Sequence, residues 1–391
     1  MKLAQRIQQI KPSSTLAMSA RANAMIAKGI NVVDFGLGQP EFQMPEVASE
    51  AAILAVRNGY TKYTATAGSD ELKEAIIQKF KNENQLSYEK NEIIVSCGAK
   101  HSLYNIAQVL FEAGDEVIIP APFWVTYPDQ VLLNDATPVI VKTEEKNQFL
   151  MTRDQLQCAI TPRTKAIILN SPANPTGAVY SKEDLEPLAE LLLATPISII
   201  SDEIYEHFIY DGKAHTSIAS LSPELKKKTV VVNGVSKSYS MTGLRIGYAA
   251  GPKEIIEAMT TLQSQTTSNP TSLSQKAAIA ALKEGGAFIQ NMVSEYDRRR
   301  QLMVQQLNKI PGIRCLLPAG SFYVFPNVQD LLGKGLNTAT DLADYLLTEA
   351  AVSTVPGEPF GMDGFLRLSY AVPYDKVAEG VERIHQAILR L

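Results

Sequence analysis

The segment Val230–Gly247, VVVNGVSKSYSMTGLRIG, contains Lys237 and Arg245, two basic residues whose surroundings would allow chemistry. The apolar β-branched run Thr229–Val232 predicts a buried strand, and Asn233-Gly234 is a turn signal at its end. Lys237 then lies among small and hydroxyl residues. It is either a solvated loop cation or an amine that forms a Schiff base, with Arg245 placed to hold a phosphate.

A second segment, Ser96-Cys97-Gly98-Ala99-Lys100, could contribute to the same phosphate site. It lies between a predicted strand end and a predicted helix start. Small residues there let backbone N–H groups approach an anion, and the helix dipole adds attraction. Such junctions also occur without a ligand, so the segment alone is a weak signal. Arg245 would supply a bidentate second anchor.

Polar residues also follow two other predicted strands. Asp202 ends the apolar run Ile197–Ser201 and either caps the next helix or keeps a pyridine nitrogen protonated, so that the ring withdraws electrons. Tyr205, three residues later, could donate a hydrogen bond to a ring hydroxyl. Asn174 lies in SPANPTG, which is either a rigid turn or a loop that points an amide at that hydroxyl and at a substrate carboxylate.

Trp124 and Arg367 each have two interpretations. Trp124, the only tryptophan, is either core filler or a flat cover stacked on an aromatic cofactor. Arg367 is a charged residue in the otherwise apolar run Phe365–Ser369. It either faces the surface or points into a cleft between domains, where it would bind a carboxylate bidentately.

The elements that must position these residues alternate between short β runs and helices from about Pro45 to Gly285. This alternation predicts an α/β fold, a mostly parallel central sheet flanked by helices, with ligands at the carboxyl ends of its strands. A long helix at Ala287–Lys309 and further strands and helices predict a smaller α+β domain. We therefore expect a large cofactor-binding domain at residues 46–286 and a small domain from residues 1–45 and 287–391.

The composition narrows the function classes. The chain has 391 residues, 45% hydrophobic and 20% charged, with a formal net charge of −4. These values are typical of a globular protein, and we expect neither a nucleic acid nor a membrane partner. Three widely spaced cysteines predict no metal site and no disulfide framework. With no apolar leader at the start, these features favour a cytoplasmic location.

Taken together, these segments resemble the class I aminotransferases, pyridoxal-phosphate enzymes of fold type I. The matching segments are Gly234–Gly247, SPANPTG, SDEIYEHFIYDG, APFWVTYP, GLGQPEF and GYTKYTATAG, in order and at family-like spacing. The resemblance covers nearly the whole chain and is closest to bacterial aspartate aminotransferases of the I-beta subgroup. One departure is Gly234, where many members have a serine that contacts the phosphate. The candidates to compensate are Ser96, Ser236 and the backbone of Gly98–Lys100.

The resemblance implies a role for each cofactor-binding residue. Lys237 holds pyridoxal 5'-phosphate and later serves as general base and acid. The ring is contacted by Asp202 at its nitrogen, by Tyr205 and Asn174 at its oxygen, and by Trp124 on its face. The phosphate is contacted by Gly98, Ala99, Lys100, Ser236 and Arg245, and by Tyr63 of a partner subunit. A homodimer with shared sites is therefore implied.

The resemblance also implies the substrate contacts. Gly38, Trp124 and Asn174 touch the substrate, and Arg367 takes its α-carboxylate. Lys11 is a candidate for the distal group, because a lysine at this position is linked in relatives to the use of prephenate as amino acceptor.

The predicted reaction moves the amino group of L-aspartate to 2-oxoglutarate, giving oxaloacetate and L-glutamate. Prephenate, aromatic or alanine substrates and β-lyase chemistry are alternatives that keep the cofactor. A ligand-sensing regulator built on this fold is an alternative of another class. It would carry a DNA-binding module, for which the sequence shows neither a spare N-terminal domain nor a basic face.

Overall fold

A computed structural model describes residues 3–10, 14–333 and 335–391. Lys11, a predicted substrate contact, lies outside these residues. Strands and helices alternate along most of the described chain. The strands are β1 (Val33–Asp34), β2 (Ile93–Ser96), β3 (Glu116–Ala121), β4 (Thr137–Lys142), β5 (Thr164–Asn170), β6 (Ser198–Asp202), β7 (Thr229–Gly234), β8 (Gly247–Ala250), β9 (Tyr323–Val324), β10 (Val352–Ser353), β11 (Val355–Pro356) and β12 (Leu366–Ser369).

The α-helices connect these strands and cover the sheets. They are α1 (Ser14–Ile26), α2 (Glu46–Arg57), α3 (Asp70–Asn84), α4 (Ala99–Leu110), α5 (Thr126–Leu132), α6 (Arg153–Ala159), α7 (Lys182–Leu193), α8 (Pro223–Lys226), α9 (Lys253–Ser264), α10 (Ser272–Glu284), α11 (Gly286–Leu307), α12 (Ala339–Ala350) and α13 (Tyr374–Ile388). Short 3-10 helices lie at Gln5–Gln8, Lys90–Glu92, Glu145–Asn147, Ile218–Ser220, Thr242–Leu244, Gln329–Leu331 and Glu358–Phe360. No helix among the described residues is both long and apolar enough to cross a bilayer.

A seven-stranded sheet in the order β2-β8-β7-β6-β5-β3-β4 forms the centre of the molecule. Its neighbouring strands are parallel, except that β8 runs antiparallel to both β2 and β7. The predicted α/β fold with a mostly parallel sheet is therefore confirmed. The register places Asn170 beside Asp202 and Asp202 beside Val232, so polar residues that follow separate apolar runs meet at one sheet edge.

Apolar runs form the central strands because both sheet faces are covered by helices. The side chains of Val230, Val231 and Val232 are fully buried on β7. Helices α4 and α9 pack on one face, and α3, α7 and α10 pack on the other. Side-chain caps fix several helix starts: Ser69 accepts a hydrogen bond from Leu72 N at the start of α3, and Ser181 and Thr152 begin α7 and α6 with capping boxes.

The predicted turn at Asn233-Gly234 is wrong, because β7 continues through both residues. Gly234 pairs with Gly247 in β8. A Cβ on Gly234 would lie 2.9 Å from the Ile246 carbonyl oxygen, and a Cβ on Gly247 would lie 2.0 Å from the Ala99 nitrogen. The glycine therefore permits close strand pairing here instead of a reversal of the chain.

Two small sheets bring the N-terminal arm and the C-terminal third together. β1 pairs in parallel with β10, and β11, β12 and β9 form an antiparallel sheet. The apolar side chains of β1, β9, β10 and β12 share one core with α1, α11, α12 and α13. The domain limits at 46–286 and at 1–45 plus 287–391 stay a prediction.

Candidate active site

A cavity of about 460 Å³ opens at the carboxyl ends of the central strands. Most of the residues singled out from the sequence line it: Gly38, Ala99, Lys100, Trp124, Asn174, Asp202, Tyr205, Ser236, Lys237, Arg245 and Arg367. Gly98 lies against Arg245. Tyr63 does not line this cavity; its side chain is 90% exposed elsewhere on the surface.

Lys237 lies on a tight turn directly after β7. The turn is closed by hydrogen bonds from Tyr239 N to Val235 O, 3.3 Å, and from Ser240 N to Lys237 O, 3.2 Å. The ammonium donates to the carbonyl oxygen of Gly38. Burial, helped by the nearby guanidinium groups of Arg367 and Arg245, lowers the pKa of Lys237 to about 8. A larger fraction of this amine is therefore unprotonated near neutral pH than for an exposed lysine, as a nucleophile requires.

The start of α4 and Arg245 form a positively polarised corner of the cavity. Arg245 donates to the carbonyl oxygens of Thr242, at 2.9 Å, and of Cys97, at 3.3 Å. These two bonds hold its side chain across the N-terminal end of α4. Gly98 precedes the helix with φ of +88°. The close approach of Gly247 to the backbone of Ala99 brings β8 against this corner. Backbone N–H groups and a guanidinium converge here as an anion site requires.

Lys100 and Trp124 form one wall. The Lys100 ammonium lies 4.8 Å from the centroid of the Trp124 ring, a cation–π distance. Burial and the charge of Arg245 lower the pKa of Lys100. The indole is half-buried, packs edge-on against Tyr127 at 5.4 Å and lines the cavity.

Asp202 is a buried carboxylate at the end of β6. Its Oδ2 accepts a 2.7 Å hydrogen bond from the Tyr127 hydroxyl, and its Oδ1 accepts a 3.2 Å bond from Ile204 N. Burial raises the pKa of Asp202 to about 6 despite these bonds. Tyr127 was missed by sequence reasoning, although it lies in the APFWVTYP segment. A cationic partner in the cavity would stabilise the ionised form of this carboxylate.

Arg367 is buried, so the surface-facing interpretation of this residue is wrong. Only 2% of it is exposed, and it donates to Asn174 Oδ1, 3.2 Å, and to the Gly36 carbonyl oxygen, 2.7 Å. Its guanidinium lies 4.5 Å from the centroid of the Tyr323 ring. Tyr323, also missed from the sequence, shares a 3.1 Å hydroxyl–hydroxyl hydrogen bond with Tyr205. The Nε of Arg367 has no hydrogen-bond partner among the described residues, so the guanidinium has a donor left for a carboxylate.

A buried charged network lies behind the cavity and was not anticipated. Glu206 is bonded by the Lys79 ammonium, by Asn84 Nδ2 at 2.7 Å and by Asn233. Burial alone would raise the pKa of Glu206, but Lys79 and neighbouring histidines lower it to about 2. Through Asn84 and Asn233, Glu206 joins helix α3 to the end of β7, and Asn233 is four residues before Lys237. The network therefore fixes the end of β7 against helix α3.

These groups fit a flat, phosphate-bearing pyridine aldehyde. The anion corner at Arg245 would take the phosphate, the amine of Lys237 would meet the aldehyde, and Asp202 would face the ring nitrogen. The cradle at Gly98 and Gly247, which a side chain would fill, supports the fit because backbone and guanidinium donors reach the same corner.

Comparison with known proteins identifies the family of this chain. The sequence profile of the family described as "Aminotransferase class I and II" matches residues 30–384. An aspartate aminotransferase of Geobacillus stearothermophilus is 50% identical, covering 99% of this chain and 98% of the relative. An aspartate/prephenate aminotransferase of Nitrosomonas europaea is 47% identical, covering 98% and 99%. The crystal structure of a Rhizobium meliloti aspartate aminotransferase is similar over 100% of both chains, with 45% identity and a TM-score of 0.97.

Proposed function

Because the chain belongs to the aminotransferases of class I and II, we propose that it transfers the amino group of L-aspartate to 2-oxoglutarate with pyridoxal 5'-phosphate held at Lys237. The observation that carries this proposal is the half-buried Lys237 amine, which shares one cavity with the guanidinium groups of Arg245 and Arg367 and with the Asp202 carboxylate. Each group matches one part of the cofactor or of an amino acid. The names of the relatives supply aspartate as the donor.

Bound pyridoxal phosphate supplies an electron sink that stabilises negative charge on the substrate Cα. The chain's own residues do the rest. The Asp202 carboxylate would keep the ring nitrogen protonated, and the Tyr205 hydroxyl would donate to the ring oxygen. Once released from the cofactor, Lys237 Nζ would be uncharged and could accept a proton from the substrate Cα. Arg367 and Asn174 orient the α-carboxylate, which fixes the bond that breaks.

A dicarboxylic substrate needs a second cation. Of the described cavity residues, the positively charged ones are Lys100, Lys237, Arg245 and Arg367. We assign Arg245 to the phosphate, Lys237 to the carbonyl group and Arg367 to the α-carboxylate. Lys100, for which the resemblance implied a phosphate contact, is then the described cation that is left for the distal carboxylate. This elimination favours aspartate and glutamate over alanine. Prephenate, the acceptor named for one relative, is also a dicarboxylate and is the second candidate; Lys11 stays a predicted contact for it.

We also propose a homodimer, supported by an exposed apolar patch. Ile53, Leu54 and Val56 on α2 are 42%, 56% and 55% exposed, and Tyr63 follows at 90%. A contiguous apolar surface of this kind is typical of a contact with another protein. A second copy of the chain would cover the patch and bring the Tyr63 hydroxyl to the partner's phosphate corner.

The three free cysteines support the proposed cytoplasmic location.

Initial rates test the proposed reaction. We expect 2-oxoglutarate-dependent turnover to be fastest with aspartate, and slower with alanine and phenylalanine. Glutamate with oxaloacetate tests the reverse direction, and glutamate with prephenate tests the second acceptor. A protein that binds pyridoxal phosphate but turns over none of these pairs would contradict the proposal and favour the regulator.

A further inference from the structure

We propose that Tyr323 is a positioning residue that links carboxylate binding at Arg367 to the ring contact made by Tyr205. This inference rests on the proposed function and deepens it. It names a residue through which an occupied carboxylate site acts on the cofactor ring. Tyr323 contacts both groups directly: its ring meets the guanidinium, and its hydroxyl meets the other phenol.

Tyr323 and Arg367 are held on the same small sheet. Tyr323 pairs with Ser369 across the β9–β12 ladder, and Ser369 lies two residues after Arg367 on the same face of β12. The guanidinium therefore lies over the Tyr323 ring, 4.5 Å from its centroid. The buried ring and the buried charge are fixed relative to each other, since a cation–π contact that is shielded from water is stronger than an exposed one.

The Tyr323 hydroxyl reaches the central sheet. It lies 3.1 Å from the hydroxyl of Tyr205, a residue 118 positions earlier that follows β6. Phe322 packs edge-on against Tyr205 at 5.3 Å and holds that ring from the side. This hydrogen bond joins the sheet that carries Arg367 to the strand end that carries Asp202.

The direction of the bond follows from proton counting. Each phenol has one proton to donate. If Tyr205 donates to the ring oxygen, it must accept from Tyr323, so the two hydroxyls form a chain that ends at the ring. Hydrogen bonds in such a chain strengthen one another. Removing the Tyr323 hydroxyl should therefore weaken the donation by Tyr205 and leave the ring oxygen more basic.

The charge of a carboxylate bound to Arg367 should affect the cofactor ring through Tyr323 and Tyr205. Burial raises the pKa of Tyr323, and the positive charge of Arg367 opposes that rise. An anion on Arg367 cancels part of this effect, so Tyr323 becomes a weaker donor. The charged or titratable groups that face the two phenols are Arg367 from β12, Asp202 from β6 and Lys237 from the turn after β7, with Tyr127 behind Asp202.

The test compares Tyr323→Phe with Tyr370→Phe in protein loaded with pyridoxal phosphate. Both tyrosines are fully buried and belong to the same sheet region, but the Tyr370 hydroxyl donates to the Ser321 carbonyl oxygen, 3.0 Å, and does not line the cavity. The visible absorbance of the bound cofactor is titrated against pH, with and without saturating maleate. Maleate is a dicarboxylate without an amino group, so it can occupy the carboxylate site without reacting. The Tyr323→Phe variant keeps an aromatic ring under Arg367, so maleate should still bind.

We expect Tyr323→Phe to raise the midpoint of the titration by about half a pH unit or more and to shrink the rise that maleate causes, whereas Tyr370→Phe changes neither. An unchanged midpoint and an unchanged maleate effect in Tyr323→Phe would overturn the inference. A wild-type protein without any cofactor absorbance would overturn the proposed function and the inference with it.

Tyr205→Phe provides a second measurement, which is decisive if Tyr323→Phe does not fold. Removing the Tyr205 hydroxyl breaks the chain at its middle, so the maleate-induced rise should shrink in this variant too. The Tyr205/Tyr323 double variant should show less than the sum of the two single shifts, because both act through one chain. A full maleate effect in Tyr205→Phe, or additive shifts in the double variant, would overturn the inference.

Discussion

Gly98 and Arg245 depend on each other sterically: a Cβ on Gly98 would lie 2.3 Å from Nη2 of Arg245. The guanidinium occupies the space that a side chain at position 98 would take. This is why Arg245 can lie across the start of α4 and reach the Cys97 carbonyl oxygen. The anion corner therefore depends on the lack of a side chain at Gly98 as well as on the charge of Arg245.

Gly98→Ala should displace Arg245 and weaken pyridoxal phosphate binding by roughly ten- to a hundredfold, about 1.4–2.7 kcal/mol. Titration of cofactor-free protein measures this affinity. Gly29→Ala is the matched control, because Gly29 also has positive φ, +83°, but nothing lies within 4 Å of its Cβ position. Equal affinities in the two variants would contradict the proposed dependence of cofactor binding on the position of Arg245.

Lys237 should be the lysine that bonds covalently to the cofactor, because burial and two guanidinium groups lower its pKa to about 8. Borohydride reduction of loaded protein, followed by digestion and mass mapping, should place the label on Lys237. Lys237→Ala should keep noncovalent cofactor and lose the reducible linkage. Lys100, a second lysine of the same cavity, is the internal control, and a label there would refute the assignment.

Asp202→Asn should reduce kcat by far more than tenfold, a barrier increase well above about 1.4 kcal/mol, because an uncharged amide does not hold the ring nitrogen protonated. Steady-state rates with aspartate measure the loss. A decrease smaller than tenfold would leave Asp202 as a structural residue bonded to Tyr127 and Ile204 only.

The same variant has a readout that needs no cofactor. Burial raises the pKa of Asp202 to about 6 in the folded protein, above the value of 3.8 for an unperturbed carboxyl. This group therefore stabilises the fold fully below about pH 4, and the contribution is lost as the pH rises through 6. A shift of about two units corresponds to roughly 3 kcal/mol at most. The difference in unfolding free energy between wild type and Asp202→Asn should change over this pH range, and parallel curves would contradict the burial argument.

Arg367 and Lys100 should separate the two carboxylates of the substrate. Arg367→Ala should weaken the binding of every amino acid substrate alike, by about 2–5 kcal/mol, since all have an α-carboxylate.

Lys100→Gln should lower kcat/KM for aspartate and glutamate and leave the value for alanine unchanged. Values of kcat/KM for the three substrates decide; equal losses for alanine and aspartate in Lys100→Gln would leave the distal site to another residue. Lys11→Ala, measured on the same substrates and on prephenate, tests the remaining predicted contact.

The apolar patch on α2 should be the contact between two copies of the chain. Leu54→Glu should shift the protein toward a monomer in sedimentation experiments and lower cofactor affinity, because Tyr63 would no longer reach the partner's site. Leu193→Glu is the control, since Leu193 is also an exposed leucine, 43%, but on α7. A monomeric wild type, or a dimer that Leu54→Glu does not weaken, would refute the proposed contact.

Residues that directly follow apolar strands could be predicted from the sequence. Asp202, Asn174 and Lys237 come after buried runs, and the ends of neighbouring parallel strands meet at one edge. For Arg367 the sequence left two orientations open, toward the surface or toward a cleft. The sequence of a strand does not show which of its two faces other elements cover. Tyr127 and Tyr323 were missed since their partners lie 75 and 118 residues away, and no local pattern encodes such pairs.

Helices α9 and α10 show a second limit. Each buries a glutamine, Gln263 or Gln275, whose side chain is fully enclosed. Gln263 donates to the carbonyl oxygens of Thr66 and Val95, and Gln275 donates to Pro270 O. A polar residue on the buried face interrupts the apolar period by which helices are found, so neither helix was predicted.

The pairing of Arg367 with the Gly36 carbonyl oxygen has a consequence for synthesis on the ribosome. The two residues are 331 positions apart, and β1 likewise waits for β10, which is made much later. The lysine turn and the anion corner are complete once β8 has emerged, but the carboxylate site is not. Folding that depends on such distant contacts is slow. We therefore expect a nascent chain to complete its own contacts to the cofactor before its carboxylate site is formed.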